Sequence, residues 1–414
     1  MITVEVEGDR DGLEDELGIF LHSQFADRFA SRHYVRAERD LDIRVDERRS
    51  GIRVVFVHRR EEGGYGDFCA HRDDHTLPLP AGRAYAVLVT RLYAATGDAI
   101  ARLDEADNGW SVELSLRGSG AQCLAVDPRD ADTIYAGLRI GGVRRTDDGG
   151  RSWVESPLPE PGVFSLAVGA ADGAVYAGTE PSRLFRSDDR GESWRELDAL
   201  LELPSRPTWS FPPRPHTSHV RWIAPSPHDA DLILVGIELG GLMRSTDGGA
   251  TWQDHRPGAQ PDVHSLAWHP TVRGRAYEAG GGGAAFSEDN GETWQPADDG
   301  RDRHYTWSVA VDPDDPDLWY VSASTGPHAA HGRRDPQAQI YRRRSGEPWR
   351  LLDGGLPEPL PAMPYALVAA DDGLFAGLAD GKIWESKDRG ESWSACTLEG
   401  DPLTELHALV VTNA

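Results

Sequence analysis

Lysine is nearly missing from this 414-residue chain: Lys382 and Lys387 are the only two, so almost all the positive charge is arginine. Even so, acidic residues outnumber basic ones 68 to 43, a formal charge of -25. Such a field repels phosphate backbones and anionic headgroups, so neither nucleic acid nor a membrane surface is an expected partner. Cysteine is scarce as well. Cys69, Cys123 and Cys396 are odd in number, scattered and without a CxxC pair, which argues against a disulfide framework or a thiolate zinc site. No apolar run approaches the roughly 20 residues that span a bilayer. The start, Met1-Ile2-Thr3-Val4-Glu5-Val6-Glu7, lacks the basic flank and apolar core of a signal peptide. Together these absences give the expectation of a soluble cytoplasmic protein.

What the chain does have is a repeat. Five octapeptides of the form Ser/Thr-x-Asp-x-Gly-x-Ser/Thr-Trp end at Trp153, Trp194, Trp252, Trp294 and Trp393, and two worn copies end at Trp110 and Trp349. Successive tryptophans are 43, 41, 58, 42, 55 and 44 residues apart. That period is about one four-stranded propeller blade. Before each octapeptide, short β-rich runs are separated by Asp/Pro or Asp/Gly turns, as in Leu124-Ala125-Val126-Asp127-Pro128 followed by Ile134-Tyr135-Ala136-Gly137. The expected fold is therefore all-β: a seven-bladed propeller over residues 85–414.

An open propeller would leave an unpaired strand edge. The Leu92 region lacks a first strand, whereas Leu406-His407-Ala408-Leu409-Val410-Val411 has the pattern of a first strand with no blade after it. The expectation is that this C-terminal strand completes blade one. Residues 1–80 fall outside the repeat. They read as a small α+β cap, with strands at 1–6 and 52–57, a helix at 12–31 bearing Leu13, Leu17, Phe20, Leu21, Phe25 and Phe29 on one face, and loop or linker at 61–66 and 78–80.

The octapeptides resemble the Asp-box, or bacterial neuraminidase repeat, of sialidases, sortilin-type receptors, some endoglucanases and photosystem II assembly-factor-like propellers. The resemblance covers residues from about 85 onward and implies that each box forms the turn between a blade's third and fourth strands. There its Asp would accept turn amides, its Gly would take the left-handed backbone and its Trp would pack between blades. Those relatives have unrelated activities. The sialidase pattern itself is not matched: the chain has seven repeats, no Arg-Ile-Pro or Arg-Leu-Pro, and no selectable arginine triad. Sialidase activity is not expected.

Chain direction assigns the octapeptides to one rim and the blade-to-blade connections to the other. Both long insertions, residues 198–221 and 324–339, fall on the second rim, and long loops in a compact array usually carry function. The positions just before each first strand are Gln122, Phe164, Arg221, His264, Trp307, Tyr365 and His407, which should circle the channel mouth. Second-strand ends add Arg139, Glu180 and Glu238, the insertions add His216, His219, His328 and His331, and the start of blade six adds Arg303, His304 and Tyr305.

Carboxylates from adjacent blades beside histidines suit general acid/base work or a divalent metal. The candidate catalytic set is Glu180, Glu238, His264, His304, Arg221, Arg303 and Tyr305; the candidate metal ligands are His219, Glu238, His264 and His304. The plainer alternative is a hydrogen-bonded, water-filled mouth. Gly280-Gly281-Gly282-Gly283 reads as a tight turn, since no Lys-Ser/Thr or helix follows to make a phosphate cradle. The acidic run from Asp312 to Asp317 occupies a first-to-second strand turn, and Cys123 sits where other blades have Ser165, Ser265, Ser308 or Ala366. Trp209, Trp222 and Trp307 could stack on a sugar or pack between blades. Two functions are open: an enzyme, hydrolase or lyase, acting on a small polar or anionic ligand, and a non-catalytic propeller that docks a protein partner.

Overall fold

The computed structural model describes residues 32–36, 41–48, 51–58, 90–106, 109–332, 335–370 and 373–413. The chain divides into two compact units, Met1–Tyr85 and Ala86–Ala414. In the first, Arg32–Arg36, Leu41–Arg48 and Gly51–His58 form an antiparallel sheet in chain order. The last of these includes the strand expected at 52–57. The strand expected at 1–6, the helix at 12–31 and the linkers at 61–66 and 78–80 lie outside the described residues.

The second unit is a seven-bladed propeller. Blade two shows the plan, with Ala121–Asp127 innermost, then Asp130–Leu138, Val143–Thr146 and Val154–Ser156, all antiparallel. In blade four the outermost position shrinks to one bridge, Arg244 with Gln253. Blade one is built from both ends of the unit: Ala408–Asn413 is its innermost strand, paired antiparallel with Thr90–Ala95, and Ile100–Ala106 and Gly109–Ser115 follow. Leu398–Gly400 then adds a parallel fifth strand outside Gly109–Ser115.

Neighbouring blades cover both faces of each sheet, so the middle strands are apolar on both sides. Ile233–Ile237, with sequence Ile-Leu-Val-Gly-Ile, is buried at every position. Leu234 packs with Ala276 and Trp294 of blade five, and Ile233 and Val235 pack with Tyr176 and Leu184 of blade three. Each such side chain contributes about 1.5–3 kcal/mol by leaving water.

The octapeptides fold into tight turns between third and fourth strands. In blade three, Ser187 donates its hydroxyl to Asp189 Oδ1 (2.7 Å) and accepts the Gly191 N–H (2.8 Å), while Asp189 accepts the Ser193 N–H (2.9 Å). The same three bonds recur around Asp148, Asp247, Asp289 and Asp388. Two of the tryptophans then tie blade to blade by hydrogen bonds: Trp153 Nε1 donates to Ser115 Oγ of blade one and Trp194 Nε1 to Ser156 Oγ of blade two, both at 3.0 Å. Asp312 accepts the N–H groups of Asp314 and Asp315, which makes the acidic run an Asx turn, and Gly281 and Gly282 turn between Ala276–Gly280 and Gly283–Ser287. Among the described residues no helix is long and apolar enough to cross a membrane.

Candidate functional site

The innermost strands of blades two to seven share a defect at the rim opposite the octapeptides. The pairing register skips one residue between Ala121 and Cys123, Val163 and Ser165, Val220 and Trp222, Val263 and Ser265, and Pro364 and Ala366, and two residues between Thr306 and Val309. The skipped residues are Gln122, Phe164, Arg221, His264, Tyr365, and Trp307 with Ser308. A bulge re-aims its side chain out of the sheet pattern. Here the re-aimed side chains meet across blades: the Arg221 guanidinium of blade four lies 4.6 Å from the Trp307 ring centroid of blade six. His264 of blade five lies 4.5 Å from the same ring, which is 5.5 Å from Tyr365 of blade seven. Tyr365 in turn stacks on His407 at 6.4 Å.

A bulge frees backbone polar groups, and in blades three, five and six the serine after it bonds such groups of the next blade. Ser165 donates to the Val220 carbonyl (2.7 Å); Ser265 donates to the Trp307 carbonyl (3.0 Å) and accepts the Val309 N–H (2.9 Å). Cys123 fills the same slot against Gly137, and burial pushes its thiol up to about 12. A thiol held protonated in this way is packing rather than a nucleophile.

Beside this ring runs a chain of acids and one imidazole. Glu180 and Glu238 follow the second strands Val175–Thr179 and Ile233–Ile237, and His219 precedes Val220–Pro225. His219 is fully buried, its ring stacked on Phe164 at 3.8 Å, with Nε2 2.6 Å from Glu238 Oε2 and Nδ1 3.3 Å from Glu180 Oε2. Arg214, from the insertion at 198–221, donates to Glu180 Oε1 (3.1 Å). Burial works against ionisation of both acids. For Glu180 the adjoining His219 ring and the Arg214 charge outweigh it, and for Glu238 the His219 bond and the charge of Arg221 hold the carboxyl at about 2.

Glu238, Asp262 and His264 then converge. One ligand atom from each lies within 4.8 Å of the other two. His264 is fully buried; its Nδ1–H donates to the Thr306 carbonyl (2.6 Å), and its Nε2 has no hydrogen-bond partner. Asp262 places Oδ2 3.4 Å from that Nε2 and accepts the Leu239 N–H at Oδ1 (3.2 Å).

The insertion at 324–339 closes the other side. Its short helix Pro327–Ala330 delivers His331, whose Nε2 is 2.8 Å from the Tyr305 hydroxyl and whose Nδ1 is 2.9 Å from the Tyr365 hydroxyl. Burial and the nearby charges of Glu238 and Asp262 push the Tyr305 phenol far above its usual range, so it stays an O–H donor.

The structure thus brings together Glu180, His219, Arg221, Glu238, His264 and Tyr305. It leaves Arg303 and His304 outside: Arg303 donates to the Gln337 carbonyl (3.1 Å) and pairs with Asp302, and His304 is exposed. In the candidate metal set, His219 is engaged by two carboxylates, and Asp262 stands beside Glu238 and His264 where His304 was expected. The signal for Asp262 was its place two residues before His264, on the segment leading into blade five. Trp209 is buried in the blade-three and blade-four core, with Nε1 donating to Ser205 Oγ (2.9 Å), so it presents no stacking face.

No family model and no curated protein matches the chain. Among solved structures it resembles an ancestral GH74 enzyme (TM-score 0.54, 17% identity, 75% of this chain and 40% of that one). It also resembles the GH74 xyloglucanase from Xanthomonas campestris (TM-score 0.55, 19% identity, 77% and 52%). A third likeness is to YCF48 from Cyanidioschyzon merolae (TM-score 0.46, 13% identity, 69% and 86%). The GH74 likenesses show a shared propeller fold. The chain spans only 40% and 52% of those two enzymes, and at such identities fold alone carries over.

Proposed function

We propose that the chain binds a small anionic polar molecule at the mouth formed by its innermost strands and acts on it as a hydrolase or lyase. The observation that carries the reading is Arg221. Its guanidinium is stacked on Trp307, largely shielded, and its Nε, 3.6 Å from Glu238, is buried without a hydrogen-bond partner. At 3.6 Å that ion pair is beyond hydrogen-bond reach, and a carboxylate or phosphate group of a ligand would complete the guanidinium's hydrogen bonding. Around that anchor, Glu238 and Asp262 supply negative charge beside His264, and the Tyr305–His331–Tyr365 chain supplies hydroxyl protons. Glu238, ionised far below neutral pH, is a weak proton acceptor and is better suited to stabilising positive charge.

The test is thermal melting of the full chain against citrate, galacturonate, glucose 6-phosphate and inorganic phosphate, in wild type and in Arg221→Leu. At about a hundred times its Kd a ligand stabilises by about 2.7 kcal/mol, enough to read as a shift of several degrees. The expectation is a shift with at least one compound in wild type that disappears in the variant. No shift with any of them, or an equal shift in Arg221→Leu, overturns the proposal.

A second reading, docking of a protein partner, draws on two apolar tips of the same rim. Ile140 and Leu239 follow second strands and are 80% and 42% exposed. If the proposal fails in the melting assay, that rim is the surface to probe with Ile140→Asp and Leu239→Asp.

A further inference from the structure

We propose that Glu238, Asp262 and His264 hold one divalent transition-metal ion at the mouth, a site that deepens the anionic-ligand reading and rests on it for the ion's use. Zinc-class ions bind such atoms at about 2.0–2.2 Å, which in a tetrahedral site sets ligand atoms roughly 3.3–3.6 Å apart. The three atoms here already lie within 4.8 Å of one another, so small side-chain rotations close the site.

His264 is the second, independent observation. Its Nε2 is fully buried, has no partner and sits 3.4 Å from Asp262 Oδ2, while Nδ1–H is committed to the Thr306 carbonyl. In the neutral ring that bond leaves the Nε2 lone pair facing the two carboxylates, the arrangement that orients metal-bound histidines in general. Thr306 is itself fixed, its hydroxyl donating to the Gly280 carbonyl (2.9 Å) and accepting the Gly280 N–H (2.9 Å).

The carboxylates are held for the same purpose. The Leu239 N–H occupies Asp262 Oδ1, and Leu239 takes the left-handed backbone (φ 52°) to present it. A side chain at Gly281 would collide with Asp262 Oδ2, so the sequence keeps that oxygen clear. His219 and Arg221 both address Glu238 Oε2, and Oε1 is the oxygen neither engages.

Arg221 is the main opposing effect, since its charge repels a cation nearby. An anionic ligand bridging the ion and Arg221 removes that repulsion, which couples ion and ligand binding. One imidazole with two carboxylates suits zinc, manganese, cobalt or iron(II) over magnesium or calcium, which prefer all-oxygen sites. Three protein ligands leave coordination positions open, as at metal sites that act on a substrate.

The experiment is titration of EDTA-stripped full chain with Co²⁺, followed by its visible spectrum and by calorimetry. One ion per chain is expected. Asp262→Asn and His264→Gln should each weaken it about tenfold or more, and His304→Gln should not; circular dichroism confirms that each variant is folded. A folded wild type that takes up no stoichiometric Co²⁺, or uptake unchanged in both Asp262→Asn and His264→Gln, overturns the site. If stripped protein still shows the Arg221-dependent ligand shift but binds no Co²⁺, the metal fails and the anion reading stands. Co²⁺ bound through these residues with no Arg221-dependent shift upholds the site and overturns the anion reading.

Discussion

Glu278 shows at the residue scale how far surroundings decide what a carboxyl does. Like Glu238 it is buried on the second strand side of its blade, but no cation faces it: Oε2 accepts the Gln260 N–H (3.0 Å) and Oε1 has no partner. Burial pushes its pKa up to about 8, only partly offset by the amide. The folded state therefore holds a proton that the unfolded chain releases at about 4.3. The stability this contributes is complete below that unfolded value and is lost as pH rises through about 8. Glu278→Gln, uncharged at any pH, should gain on wild type by up to about 1.4 kcal/mol per pH unit across that window. Urea unfolding of both proteins from about pH 5 to about pH 8 measures it; parallel curves would mean that Glu278 is ionised when folded. Glu180, Glu238, Arg221 and His264 were legible because equivalent slots in successive blades can be aligned. Asp262 was not, since it precedes the aligned slot. Arg303 and His304 entered by nearness in sequence to Tyr305, and only the fold shows Arg303 turning toward Gln337.

At the scale of elements, two local devices divide the labour between rims. The octapeptide turn is legible in sequence because every bond in it joins residues at most four apart. Its glycine is the strict requirement: Gly249 has φ 88°, donates to Ser245 Oγ (2.9 Å), and a Cβ there would come within 2.6 Å of Leu197 Cδ1. Left-handed backbone costs a side-chain-bearing residue about 1–2 kcal/mol before any clash. Gly249→Ala should lower the unfolding free energy by about that much or more, with an unchanged urea m value. Because the turn is on the rim away from Arg221, the ligand-induced melting shift should survive, and its loss would mean the rims are coupled. The bulge is the opposite case. Its register is set by pairing with a strand about ten residues on and by a serine in the preceding blade, so the sequence shows polar and aromatic residues at the slot without showing why they turn inward.

For the whole molecule the deciding element is the strand that closes the ring. Ala408–Asn413 pairs residue by residue with Thr90–Ala95, and Leu406 and Leu409, both buried, pack in one cluster with Leu92 and Ala94 of blade one and Phe375 and Ile383 of blade seven. That closure was legible because the first repeat lacked an inner strand and the tail carried one too many. The parallel strand Leu398–Gly400 beside Gly109–Ser115 was not, since its three residues carry no pattern of their own. Ending the chain at Thr404 would bare the edge of Thr90–Ala95 and open the cluster between blades one and seven. Deleting a buried leucine costs about 2–5 kcal/mol, so losing both with the strand should lower Tm by on the order of 10 °C or more. The bared edge should also drive association visible in gel filtration. Leu406→Ala gives the graded version, about 2–4 kcal/mol in urea with a monomer that stays intact. A truncated protein that melts with the full chain would show that blade one holds without its inner strand, and that the ring is closed by blade packing alone.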